Sequence, residues 1–244
     1  MIKLFPLLLT TISGISTLIG YLLIFLKEKY EEKIIIFSLS FASGILLTIS
    51  IIQLIPESFH LLKNIKLFPK ILLLLIFFNL GIILIKGINK LDSIKKKESL
   101  YQLGILSMLA IIIHNIPEGM ITYLTTKNNI NLGIRLTLAI ALHNIPEGIT
   151  IAVPIYYSTK SKKKAFFYTL ISSLSEPMGA ILTALFLEKY ITNSILSGIL
   201  MVTAAIMIEI SIKEFKESKN YNNLFLFRIS FLLGTIIMIL TSSI

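Results

Sequence analysis

The chain contains no cysteine, which excludes a disulfide framework and any thiolate metal site. Charge is scarce as well. Asp, Glu, Lys and Arg make up 15% of the 244 residues, where soluble domains carry about 25%. No glycine-rich phosphate loop occurs, so ATP-driven pumping by this chain is not expected. The apolar stretches lack period-two alternation, which excludes a transmembrane β-barrel. What remains is hydrophobic: 55% of residues and a mean hydropathy of +0.86, gathered into blocks of membrane-spanning length. A bilayer core requires about 20 apolar residues per helix, and lipid admits only helices or closed barrels. These observations predict an all-α polytopic membrane protein with a single transmembrane domain over residues 1–244.

Eight blocks follow one another at about Leu4–Leu26, Ile34–Ile55, Phe68–Ile88, Leu103–Leu124, Ile134–Tyr157, Ala165–Leu187, Ile191–Ile212 and Leu224–Leu240. The first is long for a signal-peptide core and has no small-residue cleavage site, so it reads as a retained span. Lys70 and Lys86 near the ends of the third must snorkel to the interface. The connectors are short and carry the charge, as in Lys27-Glu28-Lys29, Lys95-Lys96-Lys97 and Lys162-Lys163-Lys164. The net charge of +10 therefore reports membrane topology and not nucleic-acid binding. Connectors 1–2, 3–4, 5–6 and 7–8 with their flanks hold 16 of the 23 Lys and Arg, against 7 on the other side. The positive-inside rule then places those connectors in the cytoplasm and both termini outside the cell membrane.

Against this background one hexapeptide stands out because it occurs twice. His114-Asn115-Ile116-Pro117-Glu118-Gly119 returns unchanged as His143-Asn144-Ile145-Pro146-Glu147-Gly148. The copies fall midway along the fourth and fifth blocks, and Glu176 falls midway along the sixth. An ionisable group at that depth costs a few kcal/mol. Residues four apart share a helix face, so His114 aligns with Glu118 and His143 with Glu147. Asn115 and Asn144 lie about 100° round the helix from the imidazoles. Antiparallel packing of the two spans offers two imidazoles, two carboxylates and two amide oxygens to one cavity, and Glu176 can complete it. Pro117, Pro146 and Pro177 free the carbonyls of Ile113, Leu142 and Ser173, while Gly119 and Gly148 permit close helix approach. A polar seam that merely glues two helices is worth about 0.6–2 kcal/mol, too little to offset four ionisable groups. Nitrogen and oxygen donors together suit Zn2+ or Fe2+, with Mn2+ and Co2+ also accommodated. A mixed donor set on kinked helices fits a site that must release its metal.

The doubled His-Asn-x-Pro-Glu-Gly motif on neighbouring spans, the eight spans and the external termini resemble the ZIP (zinc/iron-regulated-transporter-like) family, most closely its bacterial ZupT-type members. The resemblance covers essentially the whole chain. It implies a 3+2+3 helix arrangement whose first and last three spans form an inverted repeat. It also implies uptake of divalent metal into the cytoplasm through a binuclear site, with Zn2+ or else Fe2+, Mn2+, Co2+ or Cd2+ as transported substrate and no resident cofactor. Carried over by motif, His114, Glu118, His143 and Glu147 resemble the first metal position. Asn115, Asn144 and Glu176 resemble the second, with Glu118 and Glu147 bridging. The chain departs from the family in three places. The connector between spans 3 and 4 has no histidine, Gln53 stands where relatives often carry Asp, and Lys213-Glu214 stands where they often carry Asp-Glu. The likeness of Ile49-Ser50-Ile51 to Ile210-Ser211-Ile212 is what an inverted repeat leaves behind.

Other readings attach to particular residues. Glu57 and His60 are expected to be solvated at the interface, with an entrance site for cations as the alternative. Glu209 and Glu214 are either exit-path ligands or partners of Lys213 and Lys216. No enzyme is expected. An intramembrane metallohydrolase would need His-Glu-x-x-His, whereas here Asn occupies the place of its basic Glu. A metal sensor without transport is a further alternative. The lipid bilayer and the metal are the expected partners, and a homodimer is compatible with the sequence.

Overall fold

A computed structural model describes residues 4–26, 30–92, 99–187, 190 and 192–242. Lys27-Glu28-Lys29 and Lys95-Lys96-Lys97, assigned above to connectors, lie outside the described residues. Every regular element among the described residues is helical, and eight helices are long and apolar enough to cross a membrane. These are α1 (Leu4–Phe25), α2 (Glu31–Leu61), α3 (Leu67–Gly87), α4 (Leu100–Asn128), α5 (Ile130–Thr159), α6 (Lys162–Phe186), α7 (Asn193–Lys219) and α8 (Leu224–Thr241). An even number of antiparallel spans leaves both chain ends on one side, the terminal face. The opposite side is the connector face.

Side-chain oxygens set several helix starts by accepting a free backbone N–H of the first turn. Asn129 caps α5 through Leu132 N at 3.1 Å and Asn223 caps α8 through Leu226 N at 3.0 Å. Ser161 and Thr192 do the same for α6 and α7, through Lys164 N and Ile195 N at 3.3 Å each. The prolines act unequally. Helical geometry continues through Pro117 and Pro146. In α6 the helix is interrupted at Leu174, so that a new turn begins at Ser175 with Glu176 and Pro177 in it. In α2 a π-helical turn at Ser50–Leu54 precedes Pro56, consistent with a π-bulge taking up the proline's missing donor.

The helices pack in a pattern that maps onto itself when α1 exchanges with α6, α2 with α7, α3 with α8 and α4 with α5. Thus α1 lies on α5 and α6 on α4; α8 lies on α2 and α3 on α7; α4 and α5 pack on each other, as do α2 and α7. Each exchange pairs helices that cross in opposite directions, so the repeat is inverted. Backbone contacts fix its register. A Cβ at Gly148 would collide with the Thr17 carbonyl of α1, and one at Gly119 would collide with the Glu176 carbonyl of α6. Reciprocally, Gly20 abuts the Ile145 carbonyl and Gly179 the Ile116 carbonyl. Thr17 and Glu176 therefore hold equivalent places. At the outer seams Gly234 meets the Phe41 carbonyl and Gly81 the Val202 carbonyl; the same register aligns Ser50 with Ser211 and Gln53 with Glu214. The motif glycines thus admit α6 and α1, rather than tightening the seam between α4 and α5.

Candidate metal centre

The two hexapeptides meet at the middle of the bundle. Because α4 and α5 run in opposite directions, His114 comes level with Glu147 and His143 with Glu118. The Glu118 Oε1 atom lies 3.1 Å from Nε2 of both His114 and His143, and His114 Nε2 lies 3.8 Å from Glu147 Oε1. The imidazole centroids are 6.3 Å apart. One ligand atom each from His114, His143 and Glu147 falls within 4.8 Å of the others, a spacing that one metal ion can span. All of these side chains are buried.

A second cluster adjoins the first. Asn144 Nδ2 donates to Glu176 Oε2 and to the Ser13 carbonyl, both at 2.9 Å. The Ser13 hydroxyl donates to the other oxygen of Glu176. Carboxylate and carbonyl can only accept, so the Asn144 amide is oriented with its nitrogen toward them, which leaves Oδ1 without a partner. Asn115 is fully buried, and neither its amide oxygen nor its nitrogen finds a partner. The same holds for both oxygens of Glu147, Oε2 of Glu118 and Nδ1 of His114. A buried polar atom without a partner costs about 1–3 kcal/mol, and native interiors avoid them. Here they converge, and nearly all are lone-pair donors. A divalent cation satisfies oxygen and imidazole donors together and supplies the positive charge that three carboxylates lack.

The structure thus gathers His114, Glu118, His143 and Glu147 into direct contact and joins Asn144 to Glu176. Asn115 is placed beside His114 but bonded to none of the others. It also adds a residue that sequence reasoning missed, Ser13 of α1. A neighbouring serine, Ser16, bonds the Ala141 carbonyl of α5 at 2.9 Å and ties the same two helices together.

One approach to the centre is visible. A cavity of about 280 Å³ on the terminal-face half, lined by Gln53, Arg135, Thr241 and the first half of α5, reaches down to His143. His114, Glu147 and Glu176 are completely buried. On the connector side, Glu214 of α7 is buried and accepts the Ser107 hydroxyl of α4 at 2.8 Å, while its second oxygen has no partner. It bonds α4 and not a lysine, so the lysine-partner reading is corrected for Glu214. Its side chain points across the bundle, whereas Lys216 is solvent-exposed. Glu57 and His60 are exposed, 3.9 Å apart on the terminal face, as interfacial solvation requires.

Comparison with known proteins follows the same lines. The family described as ZIP zinc transporter matches residues 89–242. A zinc transporter ZupT of Streptococcus mutans is 36% identical over 223 residues, covering 85% of this chain and 84% of its own length. The protein of the same name in Chlorobium phaeovibrioides is 37% identical over 226 residues, covering 85% of both chains. That of Salmonella newport is 36% identical over 221 residues, covering 86% of this chain and 84% of its own. These relatives are transporters and not hydrolases, which removes the metallohydrolase reading. Eight apolar helices, a doubled His-Asn-Ile-Pro-Glu-Gly motif and identity sustained along the chain lead to one assignment: this is a multi-pass membrane protein that belongs to the ZIP zinc transporter family.

Proposed function

We propose that the protein carries divalent metal, zinc first, across the cell membrane into the cytoplasm through a two-metal site shared by α4, α5 and α6. The observation that carries this reading is the convergence of buried, partnerless donor atoms from the two hexapeptides. In it His114, Glu118, His143 and Glu147 hold the first ion. Asn115, Asn144 and Glu176 hold the second, and Glu118 and Glu147 bridge the two. Three carboxylates oppose the charge of one or two divalent ions, and neutral imidazole and amide donors keep the binding exchangeable. The names of the relatives support zinc as the substrate. Fe2+, Mn2+, Co2+ and Cd2+ accept the same donors and are expected to compete.

The direction rests on the charge of the connectors. The excess of Lys and Arg in the connectors assigns the connector face to the cytoplasm, so the termini lie outside. The cavity that ends at His143 then opens outward, and the bundle is poised to load. The whole of 1–244 acts as one transport domain.

The test is metal uptake into proteoliposomes by His143→Ala and Glu147→Ala variants whose presence in the membrane is verified. Each is expected to lower uptake by about 100-fold or more, since each removes about 2.7 kcal/mol or more of binding. Wild-type uptake by both variants overturns the site. Imidazole and carboxylate bind metal only when deprotonated, so acid on the terminal face is expected to raise the half-saturating metal concentration. Binding without flux in the same vesicles would favour a sensor over a carrier.

A further inference from the structure

Helices α7 and α8 follow each other through a connector of only a few residues, yet their backbones scarcely approach, and they meet through the Phe215 ring, which lies edge-on to Phe227 at 4.8 Å and to Phe231 at 5.5 Å. Both pack instead on α2: Gly44 lies against the Phe231 carbonyl of α8, and Ser43 and Ser211 exchange hydrogen bonds with each other's carbonyls at 2.9 Å across α2 and α7. The gap left between α7 and α8 is a groove of about 330 Å³, floored by α2 and open to the side. Leu47, Ile212, Phe215 and Phe231 form its walls, and Lys216 and Lys219 stand at one end of it.

The depth of these groups is informative. Lys216 and Lys219 belong to the last turn of α7, at headgroup level on the connector face. Ile212 lies about 10 Å nearer the bilayer centre than Lys219, and Phe231 lies about 10 Å into α8 from its start, at 1.5 Å per residue. The groove is therefore apolar at acyl-chain depth and cationic at phosphate depth.

The charge is also directional. Ile212, Phe215, Lys216 and Lys219 share one face of α7, because positions three and four apart align. Glu214 and Glu217 fall on the opposite face. Glu214 is turned into the bundle toward Ser107. Glu217 lies near Tyr221, whose hydroxyl is pushed above its usual pKa by burial and then by Glu217, Glu32 and Glu31. Among the described residues no carboxylate pairs with Lys216 or Lys219. Basic pockets between transmembrane helices at a membrane face bind anionic headgroups, and long lysine side chains reach that level from a helix end.

We propose that this groove is a binding site for one anionic phospholipid of the connector-face leaflet, with its phosphate between Lys216 and Lys219 and an acyl chain along Phe215 and Phe231. The lipid extends the narrow aromatic joint that Phe215 makes with Phe227 and Phe231, and so braces the side of the bundle that carries Glu214. The site is independent of the metal reading, since none of its residues belongs to the metal centre.

The experiment is thermal unfolding of the delipidated full chain in neutral detergent, titrated with phosphatidylglycerol, phosphatidylcholine or inorganic phosphate. Phosphatidylglycerol is expected to raise Tm saturably, and the other two are not. Each lysine near such a surface is worth about a five-fold change in affinity, so Lys216→Gln with Lys219→Gln is expected to raise the half-saturating lipid concentration about 30-fold. Ile212→Trp keeps both charges, fills the groove and is expected to abolish the saturable rise. Lys163→Gln with Lys164→Gln, on the same face but remote from the groove, is expected to leave it unaltered. Equal stabilisation by phosphatidylcholine or by phosphate alone overturns the proposal. So does a loss in the remote pair as large as in the groove pair, or an undiminished response in Ile212→Trp.

Discussion

The two halves of the bundle are alike in packing and unlike in charge. Above the motif plane, toward the terminal face, the wall of the cavity carries Gln53 and the cation Arg135, and the cavity reaches His143. Below it, Glu214 occupies the place equivalent to Gln53, and His114, Glu147 and Glu214 are completely buried. The inverted repeat accounts for the likeness, because backbone seams set by glycine tolerate little change. Among the polar positions that the register aligns, the halves differ at Gln53 against Glu214 and at Thr17 against Glu176. The equivalence of Thr17 and Glu176 teaches the same lesson at the centre itself: one half supplies a carboxylate and the other a hydroxyl.

The sharpest way to break this comparison is to remove each histidine in turn. His114→Ala and His143→Ala are both expected to reduce uptake by about 100-fold or more, because the proposed first metal position takes a ligand from each. They should differ in accessibility. In metal-free protein, a histidine-modifying reagent applied from the terminal face should label His143 and the exposed His60 while sparing His114. Equal labelling of the two motif histidines, read by mass spectrometry, would erase the distinction between open and sealed halves.

The lopsided second cluster is tested by Ser13→Ala, which among the described residues leaves Glu176 with the side-chain hydrogen bond from Asn144. If Glu176 binds metal as proposed, losing the residue that orients it is expected to cost about 10-fold or more in metal affinity, read as zinc binding by calorimetry. Thr17→Ala, at the equivalent place in the other half, should change affinity far less. A similar loss in both would mean that α1 acts only through packing.

Making the lower half resemble the upper requires one substitution, Glu214→Gln, which can keep the hydrogen bond from Ser107 and remove the charge. Uptake at saturating metal is expected to fall about 5-fold, about 1 kcal/mol, with the half-saturating concentration little changed, since Glu214 lies past the centre. A change in half-saturation alone would move Glu214 to the loading side.

The smallest effect is expected at the mouth. Arg135→Gln removes a like charge from the approach of a divalent ion and should lower the half-saturating concentration about 2-fold at low ionic strength. The difference should vanish near 1 M salt, where screening acts over about 3 Å. Persistence at high salt would show that Arg135 shapes the cavity and does not merely charge it.

The legibility of the site in the sequence has a physical cause. Ionisable groups at membrane depth are costly enough to be rare, so the paired hexapeptides and Glu176 declare themselves against a background of leucine and isoleucine. Serine carries no such signal. In α1, Thr10 and Thr11 bond back to the Leu7 carbonyl at 3.0 and 2.7 Å, and Ser13 also bonds back to its own helix. Only Ser13 reaches Glu176 as well, and that depends on the crossing of α1 with α6, which no local pattern encodes. Glu214 was visible as a charge near a helix end, but its partner Ser107 lies on another span, so neighbouring lysines were credible alternatives until the helices were placed. The interruption of α6 at Leu174 was hidden for a different reason: Pro117, Pro146 and Pro177 all fall midway along apolar blocks, and the helices of the first two run on.

The glycine seams have a consequence for leakage. Where α5 meets α1 and α4 meets α6, backbone lies against backbone beside the charged centre, and no thread of water fits between them. A bundle with three carboxylates at its middle is a ready conductor of protons and monovalent ions wherever water bypasses the centre. Bare backbone joints act there as electrical insulation, which on the proposed reading leaves the cavity that ends at His143 as the place where charge enters.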